Sequence, residues 1–180
     1  MVIVFTGDGK GKTTASLGQM VRITGRGKKA LMIQFIKGPW RSGEDELSDK
    51  LNATIDKELA GKFVVKKMGL GFVGILGDKL PRGEHEKAAR EALTLFKSEM
   101  GTGKWGLMVL DEVNVAVSLG LITAQDVLDA IKDYPEEKLL ILSGRGAPQE
   151  FMDRADLVTE MRDVKHPYHD GKLAKLGIEF

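Results

Sequence analysis

Continuous runs of apolar residues alternate with helical patterns along this chain. The runs that predict strands are residues 2–5, 30–36, 63–68, 107–110 and 139–142, with a sixth at 157–161. Unbroken apolar runs, rather than alternating ones, are typical of parallel strands that are covered on both faces. The order of elements therefore predicts an α/β fold, a three-layer sandwich with a mostly parallel sheet of about six strands between two layers of helices.

The predicted helices occupy the intervals between these runs, at residues 13–25, 43–60, 84–100 and 123–134. The second has only a weak helical pattern, whereas the last begins at a capping box and stops before Pro135. The predicted inner face of the first helix consists of Leu17, Met20, Val21 and Thr24. That of the third consists of Ala88, Ala92, Leu95 and Phe96. His85, at the start of the third helix, is expected to lie in solvent.

A glycine-rich loop joins the first strand to the first helix. Its residues are Gly7, Asp8, Gly9, Lys10, Gly11, Lys12, Thr13 and Thr14. Strand, glycine loop and helix in this order form a phosphate cradle, because glycines let backbone N–H groups turn towards an anion. Lys12 adds a mobile positive charge, and Thr13 offers a hydroxyl to a magnesium ion. The alternative is a glycine-rich turn of no special function.

The spacing of this loop departs from the usual phosphate-binding pattern, G-x-x-x-x-G-K-[ST]. Counted back from Gly11, the first glycine would fall at position 6, which is Thr6. The first glycine is instead Gly7, one residue later. The loop is therefore predicted to bind phosphate in a shortened form.

Candidate ligand-binding residues follow the other predicted strands at their carboxyl ends. They are Lys37 and Trp40 after the second strand, Phe72 in a glycine-rich loop after the third, Asp111 and Glu112 after the fourth, and Arg145 after the fifth. Ligands of open parallel sheets bind beyond this edge. The sequence therefore predicts that five segments converge on one crevice.

Four of these residues each have an alternative role. Asp111 follows four apolar residues, as the magnesium-binding acid of a phosphate-loop protein does, but a helix cap would also suit it. Glu112 would activate water or hold a metal-bound water, or else be a solvated acid at a helix start. Arg145 would neutralise phosphate charge or pair with a surface acid. Trp40 would be a ring-stacking platform or part of the core.

Composition narrows the classes of function. Of the 180 residues, 42% are hydrophobic and 29% charged, which is typical of a single globular domain over residues 1–180. A formal net charge of +1 argues against nucleic acid as a partner. The absence of cysteine excludes disulfides and thiolate chemistry and agrees with a cytoplasmic location. No apolar run has the length of a signal peptide or a membrane span.

The histidines give little support for a metal site. His166 and His169 form an H-x-x-H pair in a turn-like stretch without further ligands. A polar surface turn is therefore the favoured interpretation of this segment.

A set of short motifs extends over nearly the whole chain. Besides the phosphate loop from Phe5 to Thr14, they are Q-F-I-K-G at 34–38 with Trp40, V-L-D-E at 109–112, S-G-R-G-A-P at 143–148, A-D-L-V-T-E-M at 155–161, K-H-P at 165–167 and G-I-E-F at 177–180. Together, and in this order, they resemble the corrinoid adenosyltransferases of the CobA/BtuR/CobO type. The shortened phosphate loop is part of that resemblance, and the last third of the chain is its most specific part.

The resemblance implies a RecA-like P-loop NTPase fold and usually a homodimer. It also implies transfer of the 5′-deoxyadenosyl group of ATP to the Co(I) of a reduced corrinoid, with release of triphosphate, in adenosylcobalamin biosynthesis. ATP, Mg²⁺ (or Mn²⁺) and the corrinoid would be the ligands, and a flavin-dependent reductase the source of electrons. In this family the triphosphate lies in the loop in the reverse of the usual direction, because the bond that breaks is at ribose C5′.

The resemblance also implies roles for the candidate residues. Catalysis would depend on Lys10, Lys12, Glu112 and Arg145, metal binding on Thr13 and Asp111, and substrate binding on the loop 7–14 with Lys37, Trp40 and Phe72. Since Co(I) is itself a strong nucleophile, the protein needs none of its own. Phe72 aligns with the first of the aromatic residues by which the family excludes the lower axial ligand of cobalt.

Two features depart from the family's pattern. The family commonly reads G-F-T-W-E after strand three, whereas residues 71–75 here read G-F-V-G-I, so that Gly74 stands in place of the tryptophan. We therefore expect a corrinoid pocket that is built differently or that accepts a different corrinoid. The chain also begins at strand one, without the N-terminal segment that in some members reaches over the partner's active site.

Two other classes of function remain open from the sequence alone. One is a P-loop hydrolase or small-molecule kinase, in which Glu112 activates water or an acceptor hydroxyl and the product is phosphate or ADP. The other is a non-catalytic paralogue that binds nucleotide or corrinoid, which Gly74 would favour. The nature of the phosphate product distinguishes the first class from an adenosyltransferase.

Overall fold

The computed structural model of the chain describes residues 1–54, 59–75 and 77–178. The strands are β1 (Val2–Thr6), β2 (Ala30–Gln34), β3 (Phe63–Lys67), β4 (Leu107–Asp111), β5 (Leu139–Ser143) and β6 (Leu157–Glu160). The helices are α1 (Lys12–Thr24), α2 (Gly43–Asn52), α3 (Arg82–Gly101), α4 (Val113–Ser118), α5 (Ala124–Ile131) and α6 (Gln149–Arg154), and a 3-10 turn follows at Pro167–Asp170. The predicted strands are all present, and α4 and α6 are short helices that periodicity did not predict.

The strands form one sheet in the order β3-β2-β4-β5-β1-β6, and neighbouring strands are parallel. Val4 of β1 lies opposite Leu142 of β5 on one side and Val158 of β6 on the other. β5 therefore separates the strand that leads into the glycine-rich loop from the strand that ends at Asp111. The predicted parallel α/β sheet is confirmed.

Helices cover the sheet on two faces, and each face has its own apolar core. Val4 points into the core under α3, α4, α5 and α6, whereas Phe5 points into the core under α1 and α2. Phe96 of α3 and Met20 of α1 are completely buried in these two cores. Because successive strand residues point to opposite faces, a strand covered on both faces is apolar throughout. The helices thus form the outer two of three layers.

The buried face of α1 includes Met20, as predicted, but not Val21. Its buried residues recur every four positions, at Lys12, Ser16 and Met20, while Val21 is 57% exposed. Successive helical residues are rotated by about 100°, so Val21 lies well to one side of this stripe. Ser16 is buried although it is polar, because its Oγ donates to the backbone carbonyl of Lys12 at 3.0 Å. Apolar periodicity therefore placed Leu17 and Met20 correctly and was wrong at Val21.

Three further predictions need correction or restriction. All four residues of the edge strand β6 are exposed, so the sheet is not covered on both faces there. His85 is 3% exposed rather than in solvent. The helix predicted at 43–60 ends at Asn52, and residues 55–58 lie outside the described residues, as do 179–180 of the last motif. None of the helices in the described ranges has the length and apolar character needed to cross a membrane.

One buried carboxylate stabilises the packing of α3 against the sheet and the next strand. Glu99 accepts hydrogen bonds from Lys66 Nζ at 2.8 Å, from Trp105 Nε1 at 2.8 Å and from Lys104 Nζ at 3.1 Å. Burial alone would raise the pKa of Glu99, but these three donors outweigh it and lower the pKa to about 2. The folded state therefore stabilises the ionised form of Glu99.

Replacing Glu99 by glutamine is expected to reduce the free energy of unfolding by about 1–2 kcal/mol at pH 7. Since the folded-state pKa lies below the usual 4.5, the contribution of Glu99 is complete above about pH 5 and is lost as the pH falls towards 2. Urea denaturation of both proteins at pH 7 and pH 3 measures this. A difference between them that stays constant over that range would contradict the assignment.

Candidate active site

The glycine-rich loop wraps around the amino group of Lys12. The Nζ atom donates to the carbonyl oxygens of Gly7 and Gly9 at 2.6 Å each, and the side chain is buried. Burial lowers the pKa of Lys12, while the charge of Glu112 acts in the opposite direction. The loop therefore has a cation at its centre, as a phosphate cradle requires.

Two loop glycines are required by the close approach of the segment after β6. The backbone N–H of Gly9 donates to the carbonyl of Met161 at 2.7 Å. A Cβ atom at Gly9 would lie 2.5 Å from the carbonyl carbon of Arg162, and one at Gly7 would lie 2.4 Å from the Met161 oxygen. Gly7 also has a φ of 90°, which disfavours other residues. The chain after β6 thus forms one wall of the loop.

The departure from the usual glycine spacing has a structural counterpart at Thr6. This residue is the last of β1 and is buried, and its Oγ1 accepts the backbone N–H of Ala147 at 3.1 Å. A glycine at this position would lose that bond, which connects the loop to the segment after β5.

The carboxylate of Asp111 lies beside the loop at the end of β4 and is completely buried. It accepts hydrogen bonds from Thr13 Oγ1 at 3.1 Å, Ser143 Oγ at 2.7 Å and Gln34 Nε2 at 3.2 Å. Burial raises the pKa of Asp111, and these bonds oppose the rise. The residue at the N-cap of α4 is Glu112, so Asp111 is not a helix cap. The Thr13 hydroxyl and the Asp111 carboxylate, which were predicted to share a metal ion, are thus in hydrogen-bonding contact.

Glu112 is the only non-glycine residue with a positive φ in the described part of the chain, at 62°. Such a conformation is costly and is found most often at functional sites. Burial and the charge of Asp111 raise the pKa of Glu112 to about 7, although Lys12 and Arg145 oppose this. Its side chain makes no capping hydrogen bond to α4, so it is not an ordinary helix-start acid.

Two cations flank these carboxylates. Arg145 is exposed, and its charge lowers the pKa values of both Lys12 and Glu112, so it lies within electrostatic reach of the loop. No salt bridge of Arg145 occurs among residues 1–54, 59–75 and 77–178, which argues against the surface ion pair. Lys37 is ion-paired with Glu44 of α2, an interaction that lowers the Glu44 pKa although burial alone would raise it.

Trp40 and Phe72 form an exposed aromatic pair on neighbouring loops of the same sheet edge. Their ring centroids lie 6.0 Å apart, and the two residues are 64% and 48% exposed. The Trp40 ring packs on backbone, since a Cβ atom at Gly38 or Gly71 would lie 2.7 or 2.9 Å from it. Trp40 is therefore not part of the core, and the other interpretation, a stacking platform, fits its position.

Sequence reasoning missed three polar residues that organise this site. Gln34 and Ser143 bind the carboxylate of Asp111, and the buried Asn114 donates from Nδ2 to the carbonyls of Phe5 and Gly144 at 3.3 and 3.0 Å. A signal for each is a polar residue that ends or interrupts an apolar run. The remaining loop residues Asp8, Lys10 and Thr14 are exposed, and Gly11 is the N-cap of α1.

Comparison with known proteins identifies the family. A family model described as ATP:corrinoid adenosyltransferase BtuR/CobO/CobP matches residues 1–180. The chain belongs to this family. The corrinoid adenosyltransferase of Escherichia coli is 34% identical over 180 residues, which cover 100% of this chain and 85% of the relative. Those of Salmonella typhimurium (named CobA) and Pseudomonas aeruginosa are 34% and 32% identical over 181 residues, covering 100% of this chain and 85% and 83% of the relatives.

Membership of the ATP:corrinoid adenosyltransferases confirms the resemblance drawn from the motifs. It assigns the chain to the enzymes that transfer an adenosyl group from ATP to a corrinoid for adenosylcobalamin biosynthesis, with ATP and a corrinoid as substrates. The hydrolase, kinase and binding-only alternatives are thereby set aside. The family's P-loop fold agrees with the parallel sheet and the loop around Lys12.

Proposed function

We propose that the site described above carries out the family's reaction by direct attack of Co(I) on C5′ of ATP. The observation that supports this is the position of a phosphate cradle and an exposed aromatic pair at the same edge of the sheet. In the reaction the cobalt donates an electron pair to C5′, the bond from C5′ to its oxygen breaks, and triphosphate leaves with that bond's electrons. Cobalt and carbon become joined, and the metal ends as Co(III).

Lys12, Lys10 and Arg145 are proposed to stabilise the negative charge that grows on the leaving triphosphate. Lys12 lies at the centre of the loop, and Arg145 lies within electrostatic reach of it. Fixed cations at a developing charge lower a barrier more than they lower the energy of the bound substrate. Lys37, which is ion-paired with Glu44, is proposed to add to the positive potential around the triphosphate. Its charge also acts on Asp111 and Glu112.

A magnesium (or manganese) ion is proposed to bind at Thr13 and Asp111. A hydroxyl and a carboxylate are the oxygen donors that Mg²⁺ prefers, and the buried Gln34 Oε1 next to them has no hydrogen-bond partner in the described part of the chain. The described residues contain no cluster of three or more acidic or histidine side chains for a metal, so triphosphate and water would complete the coordination. Bound there, the ion would neutralise phosphate charge. Glu112, which directly follows Asp111, would accept a hydrogen bond from a metal-bound water.

Phe72 is proposed to contact the lower face of the corrinoid, so Phe72→Ala should slow adenosylation about 10-fold or more while the Kd for MgATP changes little. Corrin absorbance gives the rate, and calorimetry gives the Kd. Val21→Ala, which truncates an apolar side chain that is 57% exposed on α1, should change neither. Equal losses of adenosylation and ATP affinity in Phe72→Ala would argue against this role.

The active form is proposed to be a homodimer. Its support is a set of exposed apolar residues on β6 and the segment after it: Leu157, Val158, Val164, Leu173 and Leu176. Apolar patches of this kind commonly mark protein interfaces. Light scattering should give twice the mass of one chain, and the mass of one chain would contradict the proposal.

Four finer proposals concern the setting of the reaction. The corrinoid must arrive as Co(I), so a flavin-dependent reductase is proposed as the electron source, in the cytoplasm. Residues 1–180 are proposed to act as a single domain, and neither nucleic acid nor a membrane is a proposed partner. Activity with reduced flavin in place of a chemical reductant would support the electron source, and its failure would contradict it.

An anaerobic assay with MgATP and chemically reduced cob(I)alamin tests the proposed function. The corrin spectrum and the phosphate product are followed together. A light-sensitive cobalt–carbon product with an equal amount of triphosphate is the expected result. An unchanged spectrum with ADP or phosphate as the product would contradict it.

A further inference from the structure

The loop between β3 and α3, residues 68–81, is held at its end by a buried hydrogen-bonded pair. His85 Nε2 of α3 lies 3.0 Å from Asp78 Oδ2, and the two side chains are only 2% and 8% exposed. Asp78 also accepts the backbone N–H groups of Gly74 at 2.8 Å and Leu80 at 3.0 Å. One carboxylate thus connects the middle of the β3–α3 loop, its end and the following helix.

The same loop is held at its start by the backbone of the segment after β2. Gly69 N–H donates to the carbonyl of Gln34 at 3.1 Å, and Gly71 N–H donates to that of Ile36 at 2.9 Å. A Cβ atom at Gly69 would lie 2.3 Å from the carbonyl carbon of Ile36, so the two chains run in contact. The start is therefore fixed to the sheet edge that carries Gln34 and Asp111.

The described residues between these two anchors are largely exposed. Phe72 is 48% exposed and Ile75 is 60% exposed, whereas Val73 is partly buried and packs against the apolar core. Gly74 has a φ of 69°, and no atom of the described residues lies within 4 Å of the place where its Cβ would be. The hydrogen bond from the Gly74 amide to Asp78 thus fixes the backbone two residues after Phe72, next to the apolar contact of Val73.

We propose that Asp78 and His85 are positioning residues for the corrinoid: they fix the Gly74 amide and thereby hold Phe72 against Trp40. This inference rests on the proposed function, in which Phe72 contacts the corrinoid. Neither residue touches the nucleotide loop, so the pair serves one substrate and not the other. A displacement of about 1 Å in a positioning contact can cost on the order of 100-fold in rate.

The test compares the same substitution at two capping carboxylates. Asp78→Asn replaces Oδ2, which accepts two N–H donors, by an amide that cannot accept them. Asp126→Asn makes the same change at the start of α5, where Oδ2 accepts the N–H and Oγ1–H of Thr123. His85→Gln, which keeps a donor, and His85→Ala, which does not, complete the set.

Adenosylation at varied corrinoid, the Kd for MgATP, the Tm and amide hydrogen exchange of residues 69–80 are measured for each variant. Asp78→Asn and His85→Ala should lower kcat/KM for the corrinoid about 10-fold, with the Kd for MgATP within about twofold of wild type, and His85→Gln should lose less. Exchange over 69–80 should rise in the first two variants. Asp126→Asn should lower the Tm about as much as Asp78→Asn does. It should change neither kcat/KM for the corrinoid nor the Kd for MgATP.

Equal losses for corrinoid and ATP in Asp78→Asn, or no loss for either, would overturn the positioning role. An equal corrinoid loss in Asp126→Asn would also overturn it, because the effect would then follow general stability. Failure of the proposed function is visible separately, since wild-type protein would then form no cobalt–carbon product. The exchange measurement needs no substrate and tests the loop anchor by itself.

Discussion

Lys12→Ala is expected to lower the affinity for MgATP by about 100-fold or more and to abolish adenosylation. Lys12 Nζ is the cation at the centre of the loop, with the carbonyls of Gly7 and Gly9 at 2.6 Å. Alanine removes both the charge that would meet the triphosphate and the hydrogen bonds to the loop carbonyls. Isothermal titration with MgATP and measurement of triphosphate release would give the two losses.

Lys132→Ala is the matched control for this change. It removes the same charge from an exposed position at the end of α5, away from the loop. ATP affinity and rate should stay within about twofold of wild type. If Lys12→Ala bound MgATP as tightly as the Lys132→Ala control, the assignment of the phosphate loop would be wrong.

Gly9→Ala should be nearly as damaging, for a steric reason. The new methyl group would lie 2.5 Å from the carbonyl carbon and oxygen of Arg162 and 2.7 Å from the Met161 oxygen. These are backbone atoms, so the loop and the segment after β6 must move apart. We expect a loss of about 1–3 kcal/mol in the free energy of unfolding. The shift should also lower ATP affinity, because the loop amides and Lys12 move with it.

Gly18→Ala makes the same chemical change where space is available. Gly18 lies inside α1 with no atom of the described residues within 4 Å of the added carbon, and alanine is the better helix former by about 1 kcal/mol. Thermal unfolding should therefore show a higher Tm for Gly18→Ala and a lower one for Gly9→Ala. A Gly9→Ala variant with the Tm and ATP affinity of wild type would contradict the close packing at Arg162.

The parts of the fold that depend on chain-local pattern were predictable. Continuous apolar runs identified the strands because both faces of the inner sheet are covered. Local pattern failed where burial depends on distant neighbours. Val21 is apolar, as a residue on a buried face would be, but it is exposed. The residue of α1 that packs against the strands in the core is its neighbour Met20. β6 begins with two apolar residues yet all of it is exposed, because it is the edge strand of the sheet.

The candidate site also contains residues that local pattern predicts and residues that it does not. The loop glycines, Lys12 and Asp111 could be found because their chemistry follows a spacing along the chain. Ser143 and Asn114 could not, because their partners Asp111 and Phe5 are 32 and 109 positions away. Only the order of strands brings them together. His85 was predicted wrongly for a different reason, since its partner Asp78 is only 7 positions away but belongs to a loop without a periodic pattern.

The contact between Gly9 and Met161 joins two segments that are synthesised far apart in time. The wall of the loop consists of residues that lie about 150 positions after the loop along the chain. A nascent chain therefore carries the phosphate-binding sequence long before the cradle is finished, which requires that β6 has left the ribosome and paired with β1. Nucleotide binding thus reports that the whole sheet, and not only its first strand, has formed.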